Sequence, residues 1–368
     1  MTMLTTKPRL TLTPCGHAGG RGHDITHSVP PEMSEQERAW WSNPYLRMLA
    51  SPMRQCSLTG RYLPKDFLVR LARFKIPEPL HKRGKVPPFV IFPDGLQHHT
   101  FKARKSGRGM YLICARQWLD LFLSPRYKRF GVAPPRLAEQ ISHILRLRVL
   151  QELLLIAKRV QSLYRGRSGP APALLRRLTR AELAQLRTTG VIPHPGALAV
   201  IICPPVNRDP TTKERPSVQG SMTDAPLEDA QPATPKRATP PLSVLHPTSL
   251  RLNEDELDVE PHVKEQIPLY NGVALFPGRV QRARLHELLT KILRVEGAWR
   301  FTTHTRLEQV QGSKKGEHKA SHAFLVCPSE EVDMAPLAVA LWRVRMWEGQ
   351  SQQVDCPPWV EEKRRMQF

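Results

Sequence analysis

The chain has no long apolar run. None approaches the ~20 residues that a membrane-crossing helix needs, so no helical span is expected. Cysteine pairs are also missing. The six cysteines stand at 15, 56, 114, 203, 327 and 356, no two form a CxxC pair, and His17 and His23 near Cys15 have no second cysteine at metal-ligand spacing. That argues against a disulfide framework and a structural zinc site. Reduced thiols, no metal and no other cofactor are expected, in an intracellular compartment. There is no P-loop, GxSxG, HExxH or dinucleotide fingerprint, and a non-enzymatic protein is expected. Acid is scarce: 33 Asp and Glu face 55 Lys and Arg, for a net charge of +22 and a pI near 10.2. A polyanion, most simply nucleic acid, is the partner such a balance favours. The first 23 residues hold Lys7, Arg9, Arg21 and several threonines but no acid. This resembles an organelle presequence and points to the mitochondrion, with nucleus or cytoplasm as alternatives.

What is present is unevenly placed. Between Met53 and Pro170 there are 24 Lys and Arg against six Asp and Glu, so most of the excess charge lies in one third of the chain. A clustered excess favours a binding face over a merely basic surface. The densest part runs from Lys102 to Gly131, where eight cations face only Asp120. Lys102, Arg104 and Lys105 precede Gly107-Arg108-Gly109, and Arg126, Lys128 and Arg129 follow a short amphipathic segment. Two glycines around Arg108 permit close backbone approach, so amides and a guanidinium could converge on one phosphate. Tyr111 and Tyr127 are the candidates for stacking on unpaired bases, whereas Trp118 lies in the amphipathic segment and reads as core. Arg54, Arg61, Lys65 and Arg70 would extend the surface, and His98-His99 would meet RNA or solvent. Arg146, Arg148, Lys158 and Arg159 read as the outer faces of a long helix.

The chain reads as α/β, in five parts. Residues 1–38 carry no periodicity and read as disordered, with the possible presequence. Residues 39–165 form a basic module plus a long helix. Glu37 to Leu49 suggests a short turn, limited by Pro44, that packs its aromatics onto that module. Pro64 suits the start of a short helix, Phe67–Phe74 alternates as a strand, and Phe89–Phe92 is a strand closed by Pro93-Asp94-Gly95. Met110–Cys114 is a further strand, and Arg136–Tyr164 has the three-to-four spacing of a helix. Thr179 to Glu182 is a capping box, with Gly190 placed to end its helix. A second small α/β domain spans 173–205 and 268–350, with strands at Ala197–Cys203, Gly272–Phe276 and Ala323–Cys327 and helices at Val280–Leu293 and Met334–Trp347. Residues 206–262, with nine prolines and ten acids against six cations, read as a disordered linker splitting that domain. Residues 351–368 are a tail.

The order of these residues resembles a family. Arg54-Gln55-Cys56, Thr59-Gly60, Pro64-Lys65 with Leu68 and Arg70, Pro93-Asp94-Gly95, and Gly107-Arg108-Gly109-Met110-Tyr111-Leu112 follow the pattern of the YlxR-like (RnpM-type) family of small bacterial RNA-binding proteins. The likeness covers about 53–131. It implies a compact α/β module that binds RNA through a basic surface. Thr59 stands where some members have a second cysteine, which argues against a metal. A bacterial-type module in a longer chain with a transit-like start implies a eukaryotic organellar protein, of a layout similar to that of fungal proteins. The expected partner is ribosomal or other structured RNA. The alternatives are a protein-interaction subunit or assembly factor of a mitochondrial ribosome-type complex, and a DNA-binding nucleoid protein.

Overall fold

The computed structural model describes residues 33–75, 89–104, 107, 109–124, 133–164, 173–208, 213–214, 241–248, 266–303, 320–329 and 331–349. The fold is α/β. It opens with two short helices, α1 (Glu35–Ser42) and α2 (Pro44–Leu49). Ser34 caps α1 in a reciprocal box with Glu37, while the Asn43 side chain caps α2 and Pro44 takes its first position. The proline therefore separates two helices rather than ending one.

A two-stranded ribbon follows, β1 (Met53–Gln55) with β2 (Tyr62–Pro64), and then a single 3-10 turn at Lys65–Phe67. Strand β3 (Leu68–Lys75) is the centre of an antiparallel three-stranded sheet, between β4 (Phe89–Pro93) and β5 (Gly109–Ile113). Helix α3 (Arg116–Phe122) buries Trp118, Leu119 and Phe122. Then comes α4 (Leu137–Leu163), the 27-residue helix around which the rest packs.

The five-stranded sheet has the order β6-β10-β7-β9-β8. Its members are β6 (Leu175–Thr179), β7 (Ala199–Ile202), β8 (Ser243–Pro247), β9 (Gln266–Asn271) and β10 (Ala320–Val326). All neighbours are antiparallel except β7 and β9. Helix α5 (Arg180–Thr189) follows β6, capped by Thr179 and ended by Gly190 in the left-handed region at φ 67°. The short α6 (Gly272–Leu275), the long α7 (Arg279–Thr303) and α8 (Ala335–Trp347) complete the chain of elements.

Strand alternation sorts the five-stranded sheet into two faces. Val200, Ala323, Leu325 and Ile267 meet Leu183 and Leu186 of α5. Ala199, Ile201, Tyr270, Phe324 and Val326 face the other way, into a core shared with α4, α7 and α8. That same core continues to Val69, Leu71, Ile91 and Leu112 of the three-stranded sheet. The basic module and the second α/β unit thus share one hydrophobic core, with α4 between them.

This placement changes the reading of α4. Buried residues lie on nearly every side of it. Arg146, expected on an outer face, is buried; its Nε donates to the Leu275 carbonyl at 2.6 Å and its guanidinium pairs with Glu348 at 2.7 Å. Arg148 pairs with Glu152 at 2.5 Å. Burying a guanidinium costs much less when its donors are used, which is why both have partners. Lys158 and Arg159 remain exposed.

Two strand assignments also shift. Gly272–Leu275 is helical, and the strand is the segment before it, Gln266–Asn271. Asn271 stops the strand and caps α6 with its side chain, and Gly272 lies so close to the Ile202 carbonyl that a Cβ would collide with it. Inside the proline-rich 206–262 segment, Ser243–Pro247 forms β8 at the edge of the sheet. An edge strand needs only one hydrogen-bonded neighbour, which lets it end on Pro247. The aromatics of 37–49, expected to pack onto the basic module, do otherwise: the Tyr45 ring meets Trp342 of α8 edge-on at 5.0 Å, and Trp40 is 53% exposed.

Candidate nucleic-acid interface

The short motifs spread over residues 64–111 come together at one place. Arg70 lies on β3, opposite Tyr111 of β5. Its side chain is on the sheet face turned away from α4, yet it is only 4% exposed. It forms an ion pair with Asp94, which is also 4% exposed at its side chain. Asp94 follows β4 directly, and its backbone N–H donates to the Arg70 carbonyl at 3.0 Å. The guanidinium also donates from Nη2 to the Gly107 carbonyl at 3.0 Å, and to the Tyr111 hydroxyl. Burial pulls the Arg70 pKa down from its ordinary value and nearby Arg104 adds to this, while Tyr111 opposes both.

The glycines serve this arrangement. Gly107 sits at φ 103°, a conformation that side chains rarely adopt. A Cβ on Gly109 would run into Arg70 Nε. Gly95, at φ 64°, lies beneath the aliphatic stem of Arg104, whose Cγ and Cδ would be 3.1 Å from an added Cβ. The turn of Pro93-Asp94-Gly95 and the two outer residues of Gly107-Arg108-Gly109 are therefore shaped around two arginines. One is buried and one is exposed.

Arg70 is thus not part of a contact surface; Asp94 neutralises it inside the module. The surface it supports carries Lys65, Arg104 and Tyr111. Arg104 is exposed, while Lys65 and Tyr111 are half-buried. The Lys65 ammonium is held below the ordinary lysine value, first by burial and further by Arg343 and Arg104, with Asp66 and Tyr111 acting the other way. Sequence reading did not single out Arg343. It comes from α8, nearly 280 residues downstream, and donates to the Leu68 carbonyl at 2.8 Å. Only tertiary packing brings it near Lys65. A lysine whose protonation two nearby arginines oppose, beside a tyrosine, forms a place where a phosphate would relieve repulsion.

The ribbon adjoins this group. Ser57 N–H donates to the Tyr111 carbonyl at 2.8 Å, and Lys65 N–H donates to the Pro52 carbonyl at 3.0 Å. Arg54 is exposed and donates to its neighbour's carbonyl, Met53 O, at 2.8 Å. Arg61 is exposed too. Lys102 is exposed in the turn after His98-His99, and its N–H donates to the His98 carbonyl at 3.1 Å. The two histidines do not diverge as strand neighbours would, because the chain turns there, and their rings stand 4.2 Å apart. His98 is half-buried and its backbone N–H donates to Gln151 of α4 at 2.9 Å. Burial, then Arg148, His99 and Arg159, bring its pKa down to about 4. At neutral pH it is an uncharged imidazole, unsuited to neutralising a phosphate.

Lys105, Arg108, Arg126, Tyr127, Lys128 and Arg129 lie outside the described residues. Trp118 is buried, as expected of a core residue. The buried thiols of Cys114 and Cys203 are pushed up to about 11 and about 12 by burial, which makes them poor nucleophiles. Among the described residues, no group of three or more His, Cys, Asp or Glu could hold a metal ion. No described helix is long and apolar enough to cross a membrane. Searches against protein-family models, curated proteins and solved structures find no match to this chain.

Proposed function

We propose that the chain is a non-enzymatic RNA-binding protein of the YlxR-like type, acting on structured RNA or ribosomal particles in the mitochondrion. The observation that carries this reading is the group of Lys65, Arg104 and Tyr111, near which the buried acid Asp94 is already paired with Arg70, leaving Asp66 as the carboxylate acting on Lys65. Such a group offers charge and donors to a phosphate without a metal. The skew of 24 cations against six acids between Met53 and Pro170 supports it at longer range. The acid-free first 23 residues support the organellar placement.

Ultraviolet crosslinking in cells followed by RNA sequencing tests the function directly. Enrichment of a defined RNA over an untagged control is expected; recovery at the control level would overturn the reading. Duplex DNA offered as competitor at the same salt separates RNA binding from a nucleoid role. A second reading, a subunit that binds protein in a ribosome-type complex, is favoured by Trp40, Leu46 and Leu49, all more than 40% exposed on α1 and α2. It requires partners that stay bound after nuclease treatment.

A further inference from the structure

We propose that Arg343 of α8 is a positioning residue for the phosphate site, a buried cation beneath Lys65 whose counter-charge is supplied by RNA phosphate. This rests on the RNA-binding reading above. Arg343 is 8% exposed. Its Nη2 donates to the Leu68 carbonyl at 2.8 Å, where β3 begins. The Leu68 N–H in turn donates to the Lys65 carbonyl across the 3-10 turn. The Cys114 thiol, just past β5, donates to the backbone carbonyl of Arg343 at 3.6 Å. Main chain and side chain of this one residue thus fasten α8 to the three-stranded sheet beside Lys65. Burial is graded there: Arg104 is exposed, Lys65 half-buried and Arg343 buried.

Arg343 is set apart by its lack of a counter-charge. Among the described residues four arginines are buried. Arg70 pairs with Asp94, Arg146 pairs with Glu348, and Arg345 lies over the Trp342 ring at 4.9 Å. Arg343 makes no ion pair among the described residues, and its Nε has no hydrogen-bond acceptor. The Cys114 thiol beside it is pushed up to about 11 by burial, so it stays neutral and offers no negative charge. Asp66, the carboxylate that acts on Lys65, stands against Lys65, Arg343 and Arg104 together. A buried guanidinium without a carboxylate costs stability that an apolar side chain of like volume would not. That cost falls when an anion arrives. A phosphate held by Arg104 and Lys65 is such an anion, because these are the cations of the group that reach solvent. The Arg343 charge then strengthens the hold without touching RNA, and the second α/β unit becomes part of the binding machinery.

The test uses the full chain and a labelled RNA hairpin across a salt series. Arg343→Gln keeps a donor for the Leu68 carbonyl and removes the charge. It should bind roughly fivefold more weakly, the scale of one charge acting from beneath a site, with the salt slope of the parent. Arg343→Lys should restore the affinity. Magnetic-resonance titration of the lysine side chains should show the Lys65 pKa raised in Arg343→Gln and returned in Arg343→Lys, a response that a merely structural role would not give. Parental affinity in Arg343→Gln, or an equal loss in Arg343→Lys, would overturn the inference while RNA binding stands. So would an Arg343→Gln chain that no longer folds by circular dichroism, since the residue would then be structural. If the parent does not bind the hairpin, both readings fall.

Discussion

Asp94→Ala probes the centre of the module. The substitution removes the acid from a pair in which both side chains are 4% exposed. Arg70 then keeps the Gly107 carbonyl and the Tyr111 hydroxyl, but its charge is buried without a counterion. Breaking a buried pair from one side costs about 3–5 kcal/mol, a large share of the ~5–15 kcal/mol that holds a typical domain folded. For a cooperative unit of this size each kcal/mol lowers Tm by roughly 2–4 °C, so a fall of about 10 °C is expected. Circular dichroism melts and urea titrations read this directly. The double variant Arg70→Met/Asp94→Ala removes both charges and should be more stable than Asp94→Ala alone, which separates the stranded charge from simple loss of packing. An Asp94→Ala protein within ~1 kcal/mol of the parent would refute the claim that this pair organises the turn at Gly107 and Gly109.

Other outcomes follow from the same structure. Gly109→Ala should destabilise the protein in the same assays, because its methyl group displaces the Arg70 guanidinium, whereas Gly297→Ala, with nothing near its added Cβ, should not. His98 binds its proton near pH 4 in the fold instead of near 6.5 in the unfolded chain. Between those values the unfolded state holds more protons, so stability should fall as pH drops from about 6.5 toward 4; His98→Asn should flatten that dependence in urea titrations at pH 7 and pH 5. Iodoacetamide at pH 8 should leave Cys114 and Cys203 unlabelled until denaturant is added, as peptide mass spectrometry would read. Rapid labelling of either in the native protein would contradict their burial.

Local signals were readable from sequence where the physics is local. Thr179 and Glu182 make the reciprocal cap expected of their spacing, and Gly190 ends the helix in the left-handed region. The period of Arg136–Tyr164 marked a long helix, but not that it would be wrapped on nearly all sides, because that depends on α7, α8 and two sheets. Strand β9 was hidden by Pro268. It is tolerated because β7 pairs only with Leu269–Asn271, leaving Pro268 beside β8 alone. At the site, alternation correctly put Arg70 on the face opposite Leu71. Its burial was not legible, since Asp94 and Gly107, the groups that enclose it, lie 24 and 37 residues away.

The central claim is that Lys65 and Arg104 hold RNA phosphate. The measurement is the equilibrium affinity of the full chain for RNA across a salt series, for the parent and for Lys65→Ala/Arg104→Ala. Each lost phosphate contact should flatten the plot of log K against log salt by about 0.7–0.9. The double variant is therefore expected to bind more weakly, with a slope shallower by about 1.5. A double variant with unchanged affinity and unchanged slope would contradict the account.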